Sequence, residues 1–536
     1  MTRHGSLPAM LRAAALPLAI ATTLPVAAAT PYVPAAIQPL AVSPCVASGK
    51  GRDLTVGPGK THAELHQVPW ETLAPGDTVR IFWRSTPYRG KFLISAKGTS
   101  AAPVRVCGVK SATGQRPLIS GENAVSRKEL KNAYGTGDYG ITWTEGRGIV
   151  FIGLNRNYDG WTDHPANIRI DGLAFQRAHP TYSYTDTNGA KRAYVDFGAA
   201  IWIDRGWNIT IADNEISDAT HAIFSRSIDN AGADFQVTKN LRIAHNRMWG
   251  NGVVGNALVH TTYVQSRRAV YEFNHYGPPR EGSGGASLKD RSSGTVIRWN
   301  RIEGGSRAID LVEPEDWPAI AEADPAFRTT LVYGNQIDKD GRTGSTIHYG
   351  GDHMGSEGDF RKGTLYFWGN TVHIRGKDYA AIFQPSTIDE RIEAWNNVFF
   401  PESGTDPHGL PTSIQFRTNQ ENAGGIPDGG RVNLGRNWVW ANWTDNGPWG
   451  KPIGGSLTGT ANLIKGSAYP VDTTAMVPFA GRGAIDRAVA PSPAVAAVVV
   501  DHPNDRELVR NAAGSYTAAK RPVVGAAADL GARERP

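Results

Sequence analysis

Eight short β-type segments, each closed by asparagine, constrain this chain more than any other feature. They are Ile209–Asn214, Leu241–Asn246, Ala269–Asn274, Thr295–Asn300, Thr330–Asn335, Leu365–Asn370, Ile392–Asn397 and Val432–Asn437. The third position is apolar or aromatic in every one: Ile211, Ile243, Tyr271, Ile297, Val332, Phe367, Ala394 and Leu434. The closing asparagines are spaced 32, 28, 26, 35, 35, 27 and 40 residues apart. Strands this short, recurring without helical periodicity, predict a coiled β solenoid with loops of variable length.

A second signature, a small residue followed by an aliphatic one, recurs within the same repeats. It appears at Ala200-Ile201, Ala222-Ile223, Ala257-Leu258, Ala308-Ile309, Thr346-Ile347, Ala381-Ile382 and Ser413-Ile414. Two strand types per repeat predict two sheets along a common axis. Asn suits the corner because it tolerates left-handed backbone and can hydrogen-bond its counterpart one coil away. The 61 glycines among 536 residues fit the same picture, since corners need unusual backbone angles. A hydrophobic content of 40% excludes a disordered chain. The fold class expected is all-β, one long solenoid rather than three separate domains.

The N-terminus reads as an export signal over residues 1–29. Arg3 and Arg12 supply positive charge, Ala13 to Leu24 is largely apolar, and Ala27-Ala28-Ala29 offers a small-residue cleavage pattern. The apolar run is shorter than the ~20 residues a bilayer span needs, so a secreted or periplasmic protein with no membrane partner after cleavage is expected. Losing those two arginines lowers the net charge from +6 to +4. That surplus is too small and too dispersed for a nucleic-acid partner, and mildly favours an acidic polymer. Cys45 and Cys107 are the two cysteines, and in an oxidising compartment they can pair.

The Asn-closed repeats resemble those of the right-handed parallel β-helix, pectin-lyase-like superfamily of extracellular polysaccharide-acting proteins. Pro75-Gly-Asp-Thr-Val79, the Tyr88-Arg-Gly turn and Gly98–Pro103 are similar to the opening of such chains, and Asp529–Glu534 to their close. The resemblance implies a cap with the first coils over 30–125, central coils over 126–440, and C-terminal coils with a closing segment over 441–536. It also implies a monomer acting on a polysaccharide. Loops mark the working face: 176–197 with Tyr182, Tyr184 and Tyr194; 275–286; 313–328 with a short helix around Trp317; and 438–449 with Trp438, Trp440, Trp443 and Trp449. Aromatics among them, Tyr182 and Trp317 in particular, are candidates for stacking on sugar faces.

The segment Gly284–Arg298 carries the candidate chemistry. With Leu288 in the inward slot filled by Ile309 and Ile347 on the next coils, Lys289 points outward beside Asp310 and His348, about 4.8 Å apart per coil. Arg291 shares that face. The segment resembles the catalytic stretch of the alginate-lyase-like family of polysaccharide lyases, but Arg291 stands where that family has its Lys, and the next coil offers Asp310, Val312 and Glu313 instead of an Arg. The resemblance implies a lyase acting on uronic-acid chains by β-elimination. Lys289 is then the candidate base, Arg291 or Arg298 neutralises the substrate carboxylate, and Arg307 is a further candidate for that role. His275 or His348 protonates the leaving oxygen. Hydrolysis by a carboxylate pair drawn from Asp310, Glu313 and Asp204 is the alternative, and a non-catalytic glycan-binding protein the third. No cofactor is required, although Asp310, Glu313 and Glu315 offer oxygen ligands of the kind calcium takes. His348 and His353, with Asp352 between them, have a zinc-like spacing, but Gly350 and Gly351 make the segment a turn.

Overall fold

A computed structural model describes residues 32–341, 344–353, 355–378, 380–418, 429–445 and 453–536. The chain is a right-handed parallel β-helix. Each turn contributes three strands to three long sheets, which hold 13, 14 and 11 strands among the described residues and are parallel apart from the edge pair Ser183–Thr185 and Lys191–Ala193. The Asn-closed segments form the first sheet, and their third residues stack in register from Ile211 through Ile243, Tyr271, Ile297, Val332, Phe367 and Ala394 to Leu434. Leu288, Ile309 and Ile347 form the matching inward file of the second sheet.

Two sheets were expected from the sequence, and the third is a correction. Its strands begin just after each asparagine, as at Glu215–Ser217, Arg247–Trp249, His275–Tyr276 and Arg301–Glu303. They are two to five residues long, too short for a repeated pattern of their own. Only one residue of each needs to be apolar, giving the core file Ile216, Met248, Tyr276, Ile302, Ile337 and Val372. The Ala257-Leu258 match is a second correction, because that segment is a loop and the strand follows at Thr262–Val264.

The asparagines form a continuous buried ladder from Asn214 through Asn246, Asn274, Asn300, Asn335, Asn370 and Asn397 to Asn437. From Asn246 onward, each side-chain oxygen accepts from both the backbone N–H and the side-chain amide of the asparagine one coil before it. The left-handed backbone falls one residue earlier than expected: Asp213, His245, Phe273, Trp299, Gly334, Gly369 and Asn396 have φ between +53° and +65°. Phe273 and Trp299 are uncommon residues for that conformation, and they adopt it while stacked on one another, ring centroids 5.0 Å apart.

The segment from Tyr32 to Cys45 lies as a strap across the outer face of the first sheet. Arg298 donates to the Ile37 carbonyl (2.8 Å), the Leu40 N–H donates to Glu272 (2.8 Å), and Arg105 donates to the carbonyls of Ser43 and Pro44 (3.0 and 2.9 Å). Cys45 is disulfide-bonded to Cys107, so the two cysteines do pair. Removing this cross-link by Cys45→Ser is expected to cost about 2–5 kcal/mol. Limited proteolysis of the native protein should then cut within 32–48, where the oxidised protein resists. Beyond the last coil, at Leu463–Gly466, the chain turns back along the outside, and the Ala532 N–H reaches Thr371 (2.9 Å). Among the described residues no helix is long and apolar enough to cross a membrane.

Candidate active site

The outward file of the second sheet changes character along the axis. In register it runs Leu93, Phe151, Trp202, Phe224, Tyr263, Lys289, Asp310, His348 and Gln384. The aromatic part is stacked, with Trp202 on Phe224 at 4.0 Å and Phe224 on Tyr263 at 5.0 Å between centroids. Where the file turns from aromatic to charged, the loops before and after it leave a cleft of about 660 Å³. Phe197, Ala257 and Leu258 give it apolar lining, and Lys289, Arg291, Asp310, Glu315, Asp352 and His353 give it charged and polar lining.

The outward placement of Lys289 follows from strand alternation, and it is a buried ammonium held by two carboxylates. Its Nζ donates to Asp310 (2.9 Å) and to Asp352 (2.5 Å). Arg291 pairs with Asp352 (2.8 Å), Glu313 (3.0 Å) and Glu315 (3.2 Å), and donates to the Glu313 carbonyl. Burial raises the Asp310 carboxyl, but Lys289, Arg307 and the His348 hydrogen bond outweigh it and hold it well below the ordinary value. Burial likewise opposes Lys289 and Arg291 at Asp352, and the cations win, leaving it at about 2.

Asp352 binds fewer protons folded than unfolded, so its contribution is complete above its ordinary value of 3.8 and is lost as pH falls through about 2. Thermal unfolding of Asp352→Asn against the parent should therefore differ in slope between pH 4 and pH 2, and run parallel above that range.

Arg307 is the most exposed of the three cations, with a quarter of its side chain open and one long contact of 3.5 Å to Asp310. His348 stands behind the cleft rather than in it. Its Nδ1 faces Asp310 (2.7 Å), its Nε2 faces the Ser386 hydroxyl (3.0 Å), and it is 2% exposed. Burial first, then the Arg307 charge, lowers its basicity. A buried ring with both nitrogens committed does not fit the proton-donor role expected of His348.

Four other expected residues lie away from the cleft. His275 belongs to the third sheet, where it faces Glu303 (3.4 Å) and Tyr516. Arg298 belongs to the first, buried beneath the strap with Glu272 and Tyr333. Tyr182 hydrogen-bonds Asp218 (2.7 Å) and packs on the core. Trp317 caps the short helix Pro318–Glu322 and is fully buried against Val237, Ala321 and Phe327, so no sugar can stack on it. Of the tryptophan loop, Trp438 and Trp440 are core residues, and Trp449 lies outside the described residues.

The three carboxylates considered for calcium are taken by cations and donors: Asp310 by Lys289, Glu313 by Arg291, and Glu315 by Arg291 and Tyr263. Among the described residues no group of three or more His, Cys, Asp or Glu side chains is placed to hold a metal. His348 and His353 face different partners, Asp310 and Glu315. Asp204 pairs with Arg226 outside the cleft. Sequence reasoning passed over two cleft residues, Asp352 and His260. Asp352 was visible only as part of the Gly350-Gly351 turn, and His260 only as the end of a segment misread as strand.

No family model matches the chain, and no curated protein matches it. Among solved structures it is similar to an alginate lyase from Paenibacillus sp. str. FPU-7, at 11% identity over 74% of this chain and 94% of that one, TM-score 0.37. It is also similar to XylC in complex with xylose, at 13% over 78% and 87%, TM-score 0.42. A third is the pectate lyase Pel9A, at 10% over 87% and 90%, TM-score 0.37. Likeness at this level carries no reaction or substrate across, and the chemistry rests on the cleft.

Proposed function

We propose that this is an exported enzyme that cleaves a uronic-acid-containing polysaccharide by β-elimination in the cleft above Leu288–Asp290. The supporting observation is the convergence of Lys289, Arg291 and Arg307 on one cleft that apolar and polar side chains both line. Arg307, the least committed of the cations, takes the substrate carboxylate, bidentately as guanidinium forks do. Arg291 anchors the polar lining. Lys289 becomes the base when its extra proton passes to bulk water before the chemical step, Asp310 and Asp352 staying ionised throughout. It then removes the proton next to the substrate carboxylate. The electron pair forms the ring double bond, and the same ammonium returns a proton to the departing glycosidic oxygen.

One observation favours hydrolysis as a second reading. Asp310 and Asp352 both lie within 2.9 Å of one ammonium, which brings their carboxyls close to the ~5–5.5 Å separation of retaining glycosidases. Against it, both carboxyls are held below their ordinary values, whereas a general acid must stay protonated. Incubating the full-length protein with a panel of uronic polymers, with and without chelator, separates the readings. Elimination generates ultraviolet absorbance together with new reducing ends. Reducing ends without absorbance mean hydrolysis, and neither product means a binding protein.

A further inference from the structure

Every charged side chain lining the cleft is paired with an opposite charge, and among the described residues only His260 stands outside that network. The backbone N–H of Ala286 donates to its Nδ1 at 2.9 Å. A backbone N–H can only donate, so Nδ1 is the acceptor and the neutral ring carries its proton on Nε2. Burial first, and the Lys289 charge second, keep the ring far less basic than an ordinary histidine. Nε2 has no hydrogen-bond partner among the described residues, although His260 lines the cleft.

The ring is held firmly. It packs against Tyr263, with 5.7 Å between centroids. Gly285 lets the two segments meet: a Cβ there would lie 1.7 Å from the Val259 carbonyl oxygen, so any side chain would push Ala286 away from His260.

We infer that His260 is a neutral hydrogen-bond donor to the substrate, its Nε2–H meeting an oxygen of the uronate carboxylate beside Lys289. The inference rests on the elimination proposed above. As the proton leaves the carbon next to that carboxylate, negative charge builds on its oxygens. A preorganised donor that gains in strength at that moment lowers the barrier without releasing its proton. A neutral donor also adds no charge to a network already balanced between Lys289, Arg291, Arg307 and their carboxylates.

The test compares His260→Gln with His260→Asn in the full-length protein, after checking that both unfold at the parent temperature. Gln carries an amide N–H near the position of Nε2. Asn reaches only as far as Nδ1 and leaves the Nε2 position empty. On the polymer giving the strongest absorbance, the Asn variant should lose about 100-fold in kcat, the scale of one removed oxyanion donor. The Gln variant should stay within about 10-fold of the parent, and neither should change the shape of the pH profile. Equal losses in the two variants, no loss in the Asn variant, or a profile that loses a limb overturns the inference. A parent that forms no unsaturated product defeats the elimination reading separately. Affinity electrophoresis in gels cast with each polymer then decides His260. Retardation kept by parent and Gln and lost by Asn supports it, and equal retardation or none overturns it.

Discussion

Asn335→Ala is expected to destabilise the whole solenoid by about 4 kcal/mol or more, a large share of the 5–15 kcal/mol that holds a typical domain. The reason lies in how many buried groups one side chain serves. Its oxygen accepts from the Asn300 backbone N–H (3.0 Å) and amide (2.9 Å). Its amide donates to the carbonyls of Ile297 and Tyr333 and to Asn370, each at 3.0 Å. Asn300, Asn335 and Asn370 are all fully buried, so no water replaces what is lost, and each orphaned group costs about 1–3 kcal/mol. Asn335→Asp keeps the acceptor but turns a buried carboxylate oxygen toward the Ile297 and Tyr333 carbonyls and Asn370, so at neutral pH it should be no more stable than the Ala variant. Urea unfolding followed by circular dichroism measures both. An unchanged midpoint for Asn335→Ala would mean that the ladder decorates the coil rather than holding it.

Lys289→Ala is expected to lower turnover by about 100- to 10,000-fold, the usual contribution of a positioned base. It should also cost about 3–5 kcal/mol of stability, because it leaves Asp310 and Asp352 buried without their shared cation. The two effects separate in a second variant. Lys289→Met combined with Asp310→Asn fills the volume and removes one of the stranded charges, so it should regain much of the stability and none of the activity. Activity that returns with stability would show Lys289 to be structural.

Much of this fold is written in the spacing of eight asparagines, because a solenoid repeats its local solution at every coil and the repetition lifts a weak motif above chance. The same regularity carried the phase of the second sheet, which placed Lys289, Asp310 and His348 in one outward file. The third sheet left no comparable trace, since a two-residue strand such as His275–Tyr276 needs only Tyr276 to be apolar. The cleft was legible where it rests on strands and opaque where it rests on loops. Asp352 and His260 arrive from loops, whose path depends on contacts far apart in sequence, such as the close approach of Gly285 to Val259. Trp317 and Arg298 misled for the complementary reason. A large or charged side chain in an insertion looks like a binding group, and only packing reveals that one fills a satellite core and the other anchors the N-terminal strap.

In the proposed reaction the cleft above Leu288–Asp290 cleaves uronic chains by elimination with Lys289 as its base. This is tested most directly by following ultraviolet absorbance while the folded parent and Lys289→Ala proteins act on the same uronic polymers. A steady rise is expected with the parent, and a rate at least about 100-fold lower with the variant. Reducing ends released without absorbance, or equal absorbance from the two proteins, would contradict that reaction.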